Sequence, residues 1–258
     1  MAEGMVSTMA KRIPTSAQLL TLPIDDCKLN AGYKAPKYRQ TYNINHYGWD
    51  LGSVSGSRPL RGMGKGVVIA AGADGANTKD RLGNCLVIVY PDILCRDGTV
   101  RALACRMFHL ENIAVRAGQE ITSETILGRY GATGNPAYCS GPHLHIELDT
   151  DTQYPAYAYG VAGGQVIKRG TVDSSLSPSQ VFCLGAGQML VLNQSWVSQG
   201  WMTAAEAELP RTADFSALEA GVSLEEYQAA IARAEAAEAE KAALAAKIAA
   251  IRAALGVT

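Results

Sequence analysis

The chain holds four histidines, His46, His109, His143 and His145. An imidazole can bind a metal, move a proton or pack in a core, and spacing helps to separate these roles. His143 and His145 stand two apart in a run where Leu144, Ile146 and Leu148 fill the alternate positions. In a strand, both rings turn to one face. His46 and Asp50 are four apart in His-Tyr-Gly-Trp-Asp, an even spacing that also shares a face if the segment is extended. Two imidazoles and a carboxylate converging from a stiff scaffold make the three-ligand set of a catalytic zinc, with a fourth position left for water. The helical motif His-Glu-x-x-His is absent: His109-Leu110-Glu111 has the wrong order, with no second histidine four on. No Cys-x-x-Cys pair supports a thiolate zinc site. Scattered, unrelated histidines remain the competing reading at this level.

The elements that must hold these groups read as strands. Val67–Ala71 and Leu86–Tyr90 are short β-type runs, the second stopped by Pro91. Arg96-Asp97-Gly98-Thr99 carries a hairpin-turn signal before the next run, Val100 to Phe108. The pattern predicts a mainly β, antiparallel body over residues 27–184, preceded by an arm at 1–26. The character changes after Gly185. Thr203 to Glu206 fits a capping box, with Pro210 ending the short helix, so 185–222 reads as a linker with a short helix. Ser223 to Glu226 fits a second capping box. Between Leu224 and Leu255 there is no Gly or Pro, and 15 of the 27 residues from Ala229 to Leu255 are Ala, the best helix former. Residues 223–258 therefore read as one Ala-rich long helix, whose 32 residues from Leu224 to Leu255 span roughly 48 Å at 1.5 Å per residue. Its narrow apolar stripe predicts a coiled coil or docking helix, with folding back on the β body as the alternative.

Composition excludes several classes. In 258 residues there are 23 Lys+Arg against 24 Asp+Glu, a net charge of −1, so no overall basic surface for nucleic acid exists. No run approaches about 18 consecutive apolar residues, so no membrane span is expected. The first residues lack an apolar stretch followed by a small-residue cleavage site, so no secretory signal is expected. Six cysteines in this length are not disulfide-dense, and free buried thiols are expected.

Taken together, His46-x-x-x-Asp50, Phe108-His109-Leu110 and Gly141-Pro142-His143-Leu144-His145-Ile146-Glu147 resemble the signature of the M23 peptidases, the lysostaphin- and LytM-like zinc endopeptidases of peptidoglycan. Gly66-Val67-Val68, Gly83-Asn84, Val115-x-x-Gly118-Gln119 and Leu127-Gly128-x-x-Gly131-x-Thr133-Gly134 follow in the order of that family. The resemblance covers about residues 27–184 and implies a compact antiparallel β fold with the site in a groove on the sheet. It makes His46, Asp50 and His145 the ligands of one Zn2+ per chain, and His109 and His143 the catalytic pair. It also implies a tyrosine near the first motif as oxyanion donor. Tyr38 is the candidate, with Tyr33 and Tyr42 competing. The sequence departs from the pattern at the loop Asp92–Val100, which carries Cys95, and at Cys139 just before the Gly-Pro-His segment.

The expected chemistry is hydrolysis of a peptide bond in a cross-bridge or stem of peptidoglycan. Zinc would bring the pKa of its water from about 15.7 toward 7 and polarise the scissile carbonyl. His109 and His143 would move the protons. Trp49 reads as packing beside the metal site. Trp196 and Trp201 read as helix anchors, with binding of wall sugars as the alternative. A wall-acting enzyme without a secretory signal points to a phage lysin released by a holin or a tail-associated lytic protein. The terminal helix would then join copies of the chain or phage tail proteins. A structural virion component and a catalytically silent regulator of another wall hydrolase are the alternatives.

Overall fold

Burial alternates along the segment that carries two of the histidines: Leu144, Ile146 and Leu148 are buried, while His145 and Glu147 are half-buried on the other side. That period-2 pattern is what one covered face imposes on a strand. It recurs through the computed structural model, which describes residues 13–72, 82–137, 139–153, 173–208, 211–212 and 224–255. Residues 1–12 of the expected arm, Pro210 and Ser223 lie outside the described residues.

In chain order the strands are β1 (Leu20–Thr21), β2 (Asp26–Ala31), β3 (Gly48–Ser53), β4 (Pro59–Arg61), β5 (Gly66–Gly72), β6 (Asn84–Leu94) and β7 (Val100–Ile113). They continue as β8 (Glu120–Ile121), β9 (Ile126–Tyr130), β10 (Leu144–Asp149), β11 (Ser175–Leu176), β12 (Phe182–Leu184), β13 (Met189–Leu192) and β14 (Arg211–Thr212). The helices are α1 (Pro36–Tyr42), α2 (Gln194–Ser198), α3 (Ala205–Glu208) and α4 (Leu224–Leu255). The main sheet runs β13-β2-β3-β10-β7-β6-β5-β8, antiparallel except where β13 lies parallel to β2. The fold is thus mainly β and antiparallel-rich, as the sequence predicts. The Asp97-Gly98 turn joins the long hairpin β6–β7, with Gly98 at φ 76° and Thr99 N–H donating to Asp97 Oδ1 at 2.9 Å.

One face of the sheet lies on the main core. Trp49, Leu51, Leu86, Ile88, Met107, Leu144, Ile146 and Leu148 are fully buried there. Each such side chain contributes about 1.5–3 kcal/mol on leaving water. The other face carries Asp50, Arg106, His145 and Glu147 beside a small apolar cluster of Ala70, Cys85, Val87 and Phe108. All six cysteines are buried free thiols, as expected.

Ser16–Phe215 form one compact unit, wider at both ends than the 27–184 read from sequence. Leu19, Leu20 and Leu22 are buried, and the Gln18 amide donates to the carbonyls of Lys65 and Pro91 at 2.8 Å each. At the other end, Glu206 is buried and accepts from Trp49, Tyr33 and Thr203. Its Oε1 accepts from Trp49 Nε1 and from the Tyr33 N–H at 3.0 Å each. Its Oε2 accepts from the Thr203 N–H at 2.6 Å, the capping-box contact. A segment that reads as a linker therefore braces the strand bearing Asp50. The second unit holds α4, an unbroken helix of 32 residues.

Glu206→Ala leaves the indole and two backbone donors without their acceptor. We expect a loss of about 2–4 kcal/mol in urea unfolding, with Glu206→Gln recovering part of it.

Candidate metal and catalytic site

Register delivers the first group of side chains. On β10, His145 pairs with Asp50 of β3 on one side and with Phe108 of β7 on the other. Paired residues in an antiparallel sheet face the same way. His46 comes from the segment between α1 and β3, and its ring is buried. His46 Nε2, Asp50 Oδ1 and His145 Nδ1 meet in a small triangle: 3.1 Å between His46 and Asp50, 3.1 Å between the two imidazoles and 2.9 Å between His145 and Asp50.

What lies behind each ring fixes its proton. His46 Nδ1 is 2.7 Å from the Gly32 carbonyl oxygen, which can only accept, so Nδ1 carries the hydrogen. His145 Nε2 is 3.2 Å from Glu147 Oε1, so the neutral ring donates there. The three atoms facing inward are then all lone pairs within 3.1 Å of one another. Such a convergence is repulsive unless a cation or proton sits in it. A tetrahedral zinc with bonds of about 2.0–2.1 Å spaces its ligands by roughly 3.3 Å, close to this triangle. These residues fit the ion that the sequence implies.

Protons compete for the same atoms. Against the effect of burial, hydrogen bonds to Asp50 and Glu147 push His145 up to about 9. Burial would raise Asp50, but His46, His143 and the bond to His145 hold it well below the usual carboxylate range.

The groups behind the ligands were not read from the sequence. Arg106 is fully buried on β7; its Nε donates to Glu147 Oε2 at 3.1 Å and its Nη2 to Asp149 Oδ2 at 2.6 Å. The guanidinium fixes Glu147, and Glu147 fixes the His145 tautomer. The alternation of Arg106 with Phe108 and of His145 with Glu147 on facing strands was the available signal. It needed the register of β7 on β10 to be used.

His109 reaches the site by an irregularity. As the neighbour of Phe108 it would point to the opposite face of a regular strand. It instead has φ 64°, and β7 holds one extra residue between the pairs Leu86–Met107 and Asn84–Leu110. This bulge turns the ring toward the site, 4.7 Å from the His143 ring and 6.3 Å from that of His145 between centroids. A left-handed non-glycine residue is costly and collects at functional positions. His109 Nδ1 donates to the Thr133 carbonyl at 3.0 Å, and His143 Nδ1 to the Gly141 carbonyl at 2.8 Å, so both rings offer Nε2. His143 Nε2 lies 3.6 Å from Asp50 Oδ1. Burial and the neighbouring histidines lower His109 to about 4. Burial also opposes charge on His143, but Asp50 outweighs it and raises that group.

Tyr38, on α1, stacks on His46 with centroids 4.3 Å apart. Burial, and then Asp50, raise its phenol well above the usual value, so it keeps its hydrogen. The competing tyrosines are placed differently: Tyr33 is bonded to Ser175 Oγ at 2.7 Å, and Tyr42 is exposed. Trp49 has no exposed surface and packs on Phe182 at 6.0 Å, so it presents no face for stacking. Trp196 and Trp201 are partly buried against the core.

Residues 44–157, which include His46, Asp50, His109, His143 and His145, match the profile of Peptidase family M23. Over that segment the chain is similar to the M23 peptidases. No curated protein matches the chain. Among solved structures, a zinc containing peptidase from Vibrio cholerae is similar at 26% identity and TM-score 0.38, over 51% of this chain and 37% of that one. This chain thus spans little more than a third of that relative. The antimicrobial peptidase lysostaphin from Staphylococcus simulans is similar at 20% identity and TM-score 0.41, over 63% and 53% of the two chains. A chain of the SpoIIQ-SpoIIIAH pore forming complex is similar at 16% identity and TM-score 0.44, over 65% and 92%.

Two outcomes follow for metal uptake. Because a proton holds His145 up to a pH of about 9, zinc loading near pH 7 should release a proton, and apparent affinity should climb with pH up to that value. Calorimetry in buffers of different ionisation heat measures this release. Glu147→Gln should weaken zinc binding by about 10–100-fold, read by competition with a chromophoric chelator.

Proposed function

We propose that the chain is a zinc-dependent endopeptidase that hydrolyses peptide bonds of bacterial peptidoglycan, in a cross-bridge or stem peptide. The observation that carries this reading is the triangle of three inward lone pairs at His46, Asp50 and His145, with two further histidines offering Nε2 beside it. The M23 match over residues 44–157 supports the choice of substrate.

His46, Asp50 and His145 would hold the ion. When bound, zinc supplies Lewis acidity toward the scissile carbonyl and makes an attacking water acidic near neutral pH. His109, held neutral by its buried setting, accepts the proton of that water at Nε2. His143, whose affinity for a proton is raised by Asp50, donates to the leaving amine. Two like groups with their pKa values pushed apart divide acid and base work in this way. Tyr38, a protonated phenol stacked on His46, donates to the tetrahedral oxyanion.

The setting we infer is a phage lysin or a tail-associated lytic protein acting at the bacterial wall. The support is α4, a long Ala-rich helix with Leu244 and Ile248 at exposed positions, suited to joining copies of the chain or a tail protein.

The test is release of new amino termini from purified peptidoglycan, with chelator and after zinc is restored. Chelator-sensitive release that zinc restores is expected; no release from several wall types by zinc-loaded protein would overturn the reading. His109→Ala and His143→Ala should each lower turnover by about 10²–10⁴-fold with zinc retained, while His145→Ala should lose the metal. Tyr38→Phe should lower kcat by about 10²–10³-fold with zinc retained.

A further inference from the structure

A second group of potential ligands lies beside the first. His109, Cys139 and His143 each offer one donor atom, all within 4.8 Å of one another. Cys139 is buried, and its Sγ is 3.7 Å from His143 Nδ1. A zinc bound by a thiolate at about 2.3 Å and an imidazole at about 2.0 Å separates the two donors by roughly 3.5 Å. The sulfur and nitrogen are therefore already spaced as ligands of one ion.

The widest separation, up to 4.8 Å, closes to ligand spacing with a shift of about 1.5 Å in the turn that carries Cys139 and His143. Gly141, within that turn, has open space where a side chain would begin. His109 contributes Nε2, because Nδ1 is committed to Thr133. Thiolate and imidazole together favour zinc over magnesium or calcium.

We propose that Cys139, His109 and His143 form a second, lower-affinity zinc site that switches off the first. The inhibitory part rests on the reading of His109 and His143 as the proton-moving pair. On uptake of the ion the Cys139 thiol proton leaves to solvent. His143 binds through Nδ1, and the proton it gave to Gly141 moves to Nε2, which faces Asp50 Oδ1 at 3.6 Å. His143 then has no lone pair at Nε2, and His109 has spent its own on the metal. Neither ring can then accept a proton, and His143, unable to become an imidazolium, could protonate the leaving amine only by turning into an imidazolate, although His46, Asp50 and His145 keep their ion.

The test titrates the metal-stripped full chain with zinc, and separately with cobalt. The wild type should take up two equivalents. Cobalt beyond the first should give a thiolate-to-metal charge-transfer band in the near ultraviolet. Peptidoglycan hydrolysis should rise to one equivalent of zinc and fall by tenfold or more at the second. Cys139→Ser, with Cys139→Ala as a second variant, should bind one equivalent, lack the band and keep its activity in excess zinc. Retention of the first equivalent reports that each variant is folded. A single equivalent without the band in the wild type, or a second equivalent kept by both variants, would overturn the site. Two equivalents with the band but undiminished hydrolysis would overturn the switch. If no form hydrolyses peptidoglycan, the endopeptidase reading fails, and stoichiometry and the band still decide whether the site exists.

Discussion

Three lone pairs held within 3.1 Å of one another are the constraint around which the structure is arranged. Left alone they repel, so the protein must hold them in place by other means. It does so from behind. The Gly32 carbonyl takes the His46 hydrogen, Glu147 takes that of His145, and the ladder between β3 and β10 fixes Asp50 opposite His145. Behind Glu147 stands Arg106, buried and bonded to a second carboxylate. Each contact orients the next, and the chain of contacts ends in the sheet, which the packed core beneath it keeps rigid.

The same sheet divides its labour by face. Trp49 and Ile146 point into the core, while their neighbours Asp50 and His145 point to the site. A one-residue slip between β3 and β10 would exchange these sets, burying the carboxylate and exposing the indole. Glu206 guards against this from the far end of the unit, since its carboxylate holds the Trp49 indole. Residues 157 positions apart thus secure one strand register.

Much of the site was legible in the sequence because it follows local periodicity. The alternation of His143, His145 and Glu147 with apolar residues gives a strand and a face, and the Asp97-Gly98 turn gives the hairpin. Tyr38 was singled out by family resemblance, and its stacking on His46 could not be read from residue types. Three features escaped for reasons of physics. The turn of His109 depends on one extra residue in β7, visible only when β6 fixes the pairing. Arg106 looks like a solvent-facing charge until β10 supplies two carboxylates. The 185–212 segment is short of strong periodic signals, so its place against β2 and β3 rests on long-range contacts such as those of Glu206.

The Arg106 network also has an electrostatic meaning. On this face of the sheet Asp50, Glu147 and Asp149 stand about one guanidinium, with His145 between Asp50 and Glu147. A proton on that ring and a cation in the triangle offset the same carboxylates in turn. A departing cation is thus replaced by a proton on His145, which stands between Asp50 of β3 and Glu147 of β10, so the hydrogen bonds that join those strands are spared like charges face to face.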